Sequence, residues 1–121
     1  MQTPFPHRNL RMTAPNVVWL GTSGKRYEFA NNAIGAALPA VAGVYIFCRL
    51  IGDQWFAVYV GETENLSRRL NLELDHHHRW PCIKAAGASH VCTLPVRGNY
   101  LRRLAVETDL RTNLNPQCNR Q

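Results

Sequence analysis

The chain has 121 residues, a formal net charge of +6 and four cysteines. This length suits one domain with a single core, and the excess of positive charge favours an anionic partner, nucleic acid before membrane. The longest nearly apolar run, residues 33–47, is shorter than the ~20 residues of a membrane span and contains Pro39. A membrane-spanning protein is therefore excluded.

The beginning of the chain carries prolines and polar side chains, so we predict an extended arm over residues 1–16. Residues 1–12 have no apolar segment of the kind found in secretory leaders, and no two cysteines form a CxxC pair. We therefore expect a cytoplasmic protein with reduced thiols. The cysteines are Cys48, Cys82, Cys92 and Cys118.

The next segment predicts a β-hairpin followed by a short helix. Residues 17–20 and 25–29 alternate apolar and polar side chains on either side of a turn bounded by glycines. Asn31 or Asn32 is a candidate cap for a helix that runs through Leu38.

A second hairpin is predicted over residues 43–60, which hold two β-branched and aromatic segments. A two-residue turn would pair Ile51 with Gln54 and place Tyr45 and Tyr59 on opposite faces of the sheet. A three-residue loop or a β-bulge would place both tyrosines on one face. We predict the second arrangement.

A helix is predicted over residues 64–74, with Thr63 as its N-cap. If this helix continues, Arg69, Glu73 and His77 lie along one of its edges. Its apolar side chains are spaced by four residues: Leu66, Leu70 and Leu74.

The remaining segments complete an α+β pattern. A short helix is predicted from Pro81 to Gly87, a third core strand over residues 89–96, and a last helix from Asn99 that ends at Pro116. The predicted packing stripe of the last helix is Leu101, Leu104, Ala105 and Thr108. We expect a small central three-stranded sheet, mixed or antiparallel, flanked by helices, with the N-terminal β-hairpin as an addition.

Two triplets and three later polar residues stand in a defined order along the chain. The triplets are Gly-Val-Tyr at residues 43–45 and Tyr-Val-Gly at residues 59–61, followed by Arg69, Glu107 and Asn119. This order resembles the GIY-YIG nuclease superfamily. Each triplet alone is a weak signal, whereas the ordered set is fairly specific.

The resemblance implies a catalytic core over residues 43–121. The arm and an extension over residues 17–42 precede this core within one domain. A member of this superfamily is a metal-dependent endonuclease that hydrolyses DNA phosphodiester bonds. By this resemblance Arg69 stabilises the phosphate and Glu107 holds one Mg²⁺, for which Mn²⁺ can substitute.

The resemblance also assigns Tyr45 and Tyr59 to the activation of water and Asn119 to the completion of the site. The family often has a histidine or tyrosine four residues after the arginine, where this chain has Glu73. We expect His77 to take that place, and its imidazole is a second candidate base. His76 and His78 remain alternatives.

Six arginines are candidate contacts to nucleic acid: Arg68, Arg69, Arg79, Arg97, Arg102 and Arg103. The chain shows no helix-turn-helix or zinc-finger pattern, so we expect weak sequence preference. DNA is the expected partner, and branched or nicked DNA stays open as the preferred form. Targeting by a partner protein and action as a homodimer also stay open.

Other functions compete with this hypothesis. The first alternative is a catalytically inactive nucleic-acid-binding module with the same fold, and the second is a basic protein-interaction domain. A structural zinc site is disfavoured, because the possible ligands lack the usual spacing; they are His76, His77, His78, Cys82, His90 and Cys92. The tyrosines also have an ordinary explanation as half-buried strand residues, and Glu107 as a partner of surface arginines.

Overall fold

The structure, a computed structural model, describes residues 16–120. The predicted arm therefore lies outside the described residues, apart from Asn16, which begins the first strand. No helix within the described range has the length and apolar character needed to cross a membrane.

In the described part of the chain, five antiparallel strands form one sheet in the order β1-β2-β5-β3-β4. The α+β class is confirmed, but the sheet has five strands rather than three, because β2 pairs with β5 and so joins the N-terminal hairpin to the sheet. The strands are β1 (Asn16–Leu20), β2 (Arg26–Ala33), β3 (Gly43–Ile51), β4 (Gln54–Thr63) and β5 (His90–Pro95).

The helix predicted from Asn31 or Asn32 is wrong, since both residues belong to β2. Asn31 lies opposite Cys92 of β5, and the Asn32 side chain donates to the carbonyl of Val91 at 3.2 Å. The neighbouring strand thus satisfies polar groups that the sequence pattern assigned to a helix cap.

The hairpin of β3 and β4 has both a two-residue turn and a bulge. The turn pairs Ile51 with Gln54, and the register then shifts by one residue because Val58 is extra. The bulge brings Tyr45 and Tyr59 to one face, as predicted.

The helix predicted over residues 64–74 is replaced by shorter turns. A π-helical turn spans Arg68–Leu72, and a 3₁₀ turn spans Leu74–His76. Asn65 caps the first turn instead of Thr63, since its Oδ1 accepts from the Arg68 amide at 2.9 Å. The alignment of Arg69, Glu73 and His77 along one helical edge is therefore wrong: Glu73 is exposed, and His77 follows the 3₁₀ turn in an extended conformation.

Two α-helices follow, α1 (Trp80–Ala85) and α2 (Tyr100–Leu114), and a 3₁₀ turn spans Gln117–Asn119. The predicted packing stripe of α2 is wrong, as Leu101 is 66% exposed while Arg103 and Leu110 are buried. The apolar pattern misleads here because Arg103 is buried as an ion pair with Glu62, which compensates its charge.

The sheet buries apolar side chains on both faces. One face packs against the π-helical turn, α1 and the C-terminal 3₁₀ turn through Tyr45, Phe47, Tyr59, Leu66, Leu70 and Ile83. The other face packs against α2 through Val17, Phe29, Ile46, Val60 and Leu110.

The cysteines do not all remain reduced. Cys82 of α1 forms a disulfide with Cys118 of the C-terminal turn, so the expectation of reduced thiols is wrong for this pair. Sequence separation alone could not indicate the pairing. Cys48 and Cys92 are free and buried, with their sulfur atoms 3.8 Å apart.

Candidate active site

A buried tyrosine–histidine pair forms the centre of the site. Tyr45 Oη lies 2.8 Å from His77 Nε2, and the Arg79 amide donates to His77 Nδ1 at 3.0 Å. Burial lowers the pKa of His77 to about 4, and the charges of Arg69, His78 and Arg79 act in the same direction. At neutral pH the His77 ring is therefore uncharged and carries its proton on Nε2. This N–H donates a hydrogen bond to Tyr45 Oη.

The Tyr45 phenol is 1% exposed. Burial raises the pKa of Tyr45 well above its usual range, and Tyr59 and Glu107 act in the same direction. The guanidinium of Arg69 opposes them by interacting with the hydroxyl and lowers the pKa. Since His77 occupies one lone pair of Oη, the hydroxyl proton of Tyr45 is directed elsewhere in the site.

The three consecutive histidines have different environments. The rings of His77 and Tyr59 meet edge to face, with centroids 5.1 Å apart, and His78 stacks on His77 at 5.0 Å. His76 is exposed and lies 3.8 Å from Asp75. Of the three alternatives left open by the sequence, only His77 contacts the Tyr45 hydroxyl.

Gly61, the last residue of the second triplet, lies against the Tyr45 ring. A Cβ added at Gly61 would lie 2.6 Å from both Cζ and Oη of Tyr45, and 2.8 Å from Tyr59 Cε2. Both distances are far below an ordinary van der Waals contact. The absence of a side chain at this position therefore allows the Tyr45 ring to lie against β4.

Glu107 is a half-buried carboxylate on α2. Burial raises its pKa and Glu62 adds to this effect, while Arg111 opposes it. Within residues 16–120 its carboxylate makes no hydrogen bond or ion pair, whereas Glu62 is paired with Arg103 Nε at 2.9 Å. Glu107 thus has the properties of an oxygen ligand for a cation.

Arg69 of the π-helical turn points its charge toward the same region. Its charge lowers the pKa values of Tyr45, Tyr59 and His77. Its Nε is buried and has no hydrogen-bond partner among residues 16–120. A buried donor without a partner is costly, which suits a group that receives an anion.

Asn119 binds the backbone of β4 rather than another site side chain. Its Oδ1 accepts from the Val60 amide at 2.8 Å, and its Nδ2 donates to the Val60 carbonyl at 2.9 Å. Because β4 is an edge strand, Asn119 takes the place of a neighbouring strand between Tyr59 and Gly61.

The predicted arginine contacts lie in different environments. Arg97 and Arg102 are exposed, and so is Arg68, whose closest acid is Glu64 at 3.5 Å. Arg79 is half-buried beside His77. Arg103 is buried against Glu62, so the structure does not bring it to the surface.

The donor set fits a hard cation better than zinc. Among residues 16–120 no group of three His, Cys, Asp or Glu residues is arranged to hold a metal, and Cys82 is bound in the disulfide. Mg²⁺ keeps most of its waters and needs only one or two carboxylates. The free carboxylate of Glu107 meets that requirement.

Solved structures that match this fold are forms of the GIY-YIG N-terminal endonuclease domain of UvrC from Thermotoga maritima. A tyrosine-to-phenylalanine variant bound to its catalytic divalent cation matches with a TM-score of 0.56 and 28% identity over 73% of this chain and 91% of that domain. The magnesium-bound form matches with a TM-score of 0.54 and 28% identity over 70% and 89%.

The chain belongs to the GIY-YIG nuclease superfamily. A scan against models of protein families found no match, and a search of curated proteins found none either. Within this GIY-YIG chain, sequence reasoning missed two members of the site. Glu62, directly after the second triplet, binds Arg103 and acts on Glu107, and the Arg79 amide sets the tautomer of His77. The position of Glu62 beside Gly61 was a usable signal, whereas a backbone amide leaves none in the sequence.

Proposed function

We propose that the chain is a metal-dependent endonuclease that hydrolyses DNA phosphodiester bonds. One arrangement carries this proposal: the buried Tyr45 hydroxyl lies 2.8 Å from His77 Nε2, and the charges of Arg69 and Glu107 both act on it. Neither the Arg69 Nε nor the Glu107 carboxylate has a partner within the described part of the chain. A cation, an anion and a phenol held together in this way suit phosphodiester hydrolysis.

Arg69 and Glu107 have complementary roles in this proposal. The planar guanidinium of Arg69 binds non-bridging phosphate oxygens. Glu107 would hold Mg²⁺, which supplies charge neutralisation at the phosphate and the leaving oxygen. The magnesium bound to the Thermotoga maritima domain supports this choice of metal, and we propose that Mn²⁺ substitutes for it.

Tyr45 is the proposed group that orients and deprotonates the attacking water. A phenol near its usual pKa of ~10 is a poor base at neutral pH, and burial makes it poorer still. The charge of Arg69 already lowers the pKa of Tyr45, and a cation held by Glu107 would lower it further toward the working range.

His77 is proposed to position Tyr45 rather than to act as the base itself. Its Nε2 already carries a proton, because Nδ1 accepts from the Arg79 amide. Tyr59 is proposed as a second phenol that orients the water. Asn119 is proposed to act through the backbone, since it holds Val60 between Tyr59 and Gly61.

The test is incubation with supercoiled plasmid, nicked duplex and branched duplex in Mg²⁺ or Mn²⁺. We expect nicked or linear product that disappears with EDTA and with Glu107→Gln. Glu73→Gln is the matched control, because Glu73 is an exposed carboxylate outside the site, and it should cut like the wild type. Cleavage that survives Glu107→Gln would overturn the assignment of the metal ligand.

The inactive binding module is the second candidate, and the departure from the family pattern at Glu73 favours it. Binding to every substrate without cleavage of any would make this reading the better one. Salt-dependent binding would in turn separate both candidates from a protein-interaction domain.

A further inference from the structure

A groove of about 340 Å³ lies between the N-terminal half of α2 and the strands β2 and β5. Among its described lining residues, Glu28 is the one carboxylate, and it accepts a hydrogen bond from Asn16 at 2.8 Å. Four lining side chains are cationic: Lys25, Arg26, Arg97 and Arg102. These four residues define what we call the basic groove.

The cations of the basic groove have no anionic partner in the described chain, since no ion pair within residues 16–120 includes them. Lys25 Nζ lies 5.3 Å from the centre of the Tyr27 ring. The stem of Arg102 lies over Gly98, where an added Cβ would be 2.5 Å from Arg102 Cδ. Lys25 and Arg102 thus contact neighbouring residues of the groove, while no anionic group of the described chain pairs with their charges.

The start of α2 increases this concentration of positive charge. Its first turn holds no acidic residue, although the N-terminus is the positive end of the helix dipole. Arg103 in this turn is neutralised by Glu62, whereas Arg102 forms no ion pair with any described residue. The cations of the basic groove repel one another and the positive end of α2. A bound anion would reduce this repulsion, which no group of the described chain does.

The basic groove and the candidate active site flank the same part of α2. Arg102 and Glu107 are separated by about 7.5 Å along the helix axis, from five residues at the usual rise. The groove lies along the interior strands β2 and β5. The charge of Glu107 instead acts on Tyr59 of β4, an edge strand that also carries Glu62. An extended polyanion that crosses α2 reaches both regions, which a small anion cannot do.

We propose that the basic groove binds backbone phosphates of the nucleic acid at a distance from the bond to be cut. The inference deepens the proposed function and rests on it. It gives the N-terminal hairpin, which supplies Lys25 and Arg26, a direct part in substrate binding. Contacts to phosphates carry no sequence information, so this surface would strengthen binding equally for all sequences.

The experiment measures fluorescence anisotropy of a short labelled DNA duplex in EDTA, so that binding is observed without cleavage, over a series of salt concentrations. Each lost phosphate contact lowers the slope of log affinity against log salt by about 1. We expect a decrease of about 2 for Lys25→Gln with Arg26→Gln, and of about 4 when Arg97→Gln and Arg102→Gln are added. The control Lys84→Gln, exposed on α1, should leave the slope unchanged.

Thermal unfolding of each variant shows whether it is folded. If the variant with all four substitutions does not fold, Arg26→Gln alone is measured instead. A folded pair variant with the wild-type slope, or a wild type that does not bind, would overturn the inference. Cleavage by the wild type on the same duplex with Mg²⁺ is scored separately. Binding through the groove without any cleavage would refute the nuclease and still support the groove as a nucleic-acid surface.

Discussion

The Tyr45 hydroxyl and the His77 ring form a hydrogen bond of 2.8 Å between two side chains that are almost completely buried. Tyr45 lies on β3, whereas His77 follows the 3₁₀ turn and owes its tautomer to the Arg79 amide. The pair thus couples the first triplet to the irregular segment after the π-helical turn. The hydrogen bonds of this pair depend on whether His77 is protonated.

The stability of the fold should fall between about pH 6.5 and pH 4 because of His77. Its pKa is about 4 in the folded chain and ~6.5 in an unfolded chain, so the unfolded state takes up the proton first as the pH falls. The difference in pKa corresponds to about 3 kcal/mol at most. Urea unfolding across this range should show a smaller loss for His77→Gln than for the wild type, and equal losses would contradict the assignment.

Glu107→Gln should abolish cleavage without destabilising the fold. The carboxylate has a raised pKa because it is desolvated and lies near Glu62, so its charge is unfavourable in the folded chain. We expect at least about a hundredfold loss of nicking rate and a melting temperature at pH 7 that does not fall. A large drop in melting temperature would show that Glu107 is a structural residue.

Gly61→Ala should displace the Tyr45 ring, since the new Cβ would overlap Cζ and Oη. We expect a loss of about 1–3 kcal/mol in the free energy of unfolding and strongly reduced cleavage. The loss should be smaller in a Tyr45→Phe background, where one of the overlapping atoms is gone. Additive free energies in the double variant would show that the two positions are not in contact.

The sequence predicted β3, β4 and β5 and the tyrosines on one face, because strand periodicity and a bulge are local features. The structure brings together several residues of the predicted site, whose roles stay predictions: the charges of Arg69 and Glu107 act on Tyr45, and His77 contacts it. The order of the triplets carried that information. The role of Asn119 was less visible, since its partners are backbone atoms of Val60.

Features that depend on distant parts of the chain were missed. The pairing of β2 with β5 joins segments about 60 residues apart, as with Asn31 and Cys92, and no local pattern specifies it. The leucine spacing predicted a helix through Leu74. The helix ends earlier because the Glu73 amide donates to the Arg68 carbonyl, five residues back, instead of forming the usual α-helical hydrogen bond. Burial of Arg103 depends on Glu62, which lies 41 residues earlier in the sequence.

Asn119→Ala should loosen the edge of β4. The variant leaves the Val60 amide and carbonyl without their partners, at a cost of about 1–3 kcal/mol. Amide hydrogen exchange at Val60 should become faster, and cleavage should fall because Tyr59 and Gly61 lie on either side. Unchanged exchange at Val60 with lost activity would instead indicate that Asn119 contacts the substrate directly.

The disulfide between Cys82 and Cys118 should contribute measurably to stability. It closes a loop with a sequence separation of 36 residues, and constraint of such a loop in the unfolded chain is worth about 2–4 kcal/mol. Thiol titration in denaturant should find two free thiols before reduction, those of Cys48 and Cys92, and all four cysteines afterwards. Four reactive thiols before reduction would contradict the pairing.

Reduction should also reach the site, because Cys118 adjoins Asn119 and Cys82 belongs to the helix that follows His77. We expect reductant to lower the free energy of unfolding by about 2–4 kcal/mol and to speed exchange at the Val60 amide. A Cys82→Ser and Cys118→Ser double variant is the matched control. Without reductant, this variant should already have the free energy of unfolding of the reduced wild type. Added reductant should not change it further, since the remaining cysteines are already thiols.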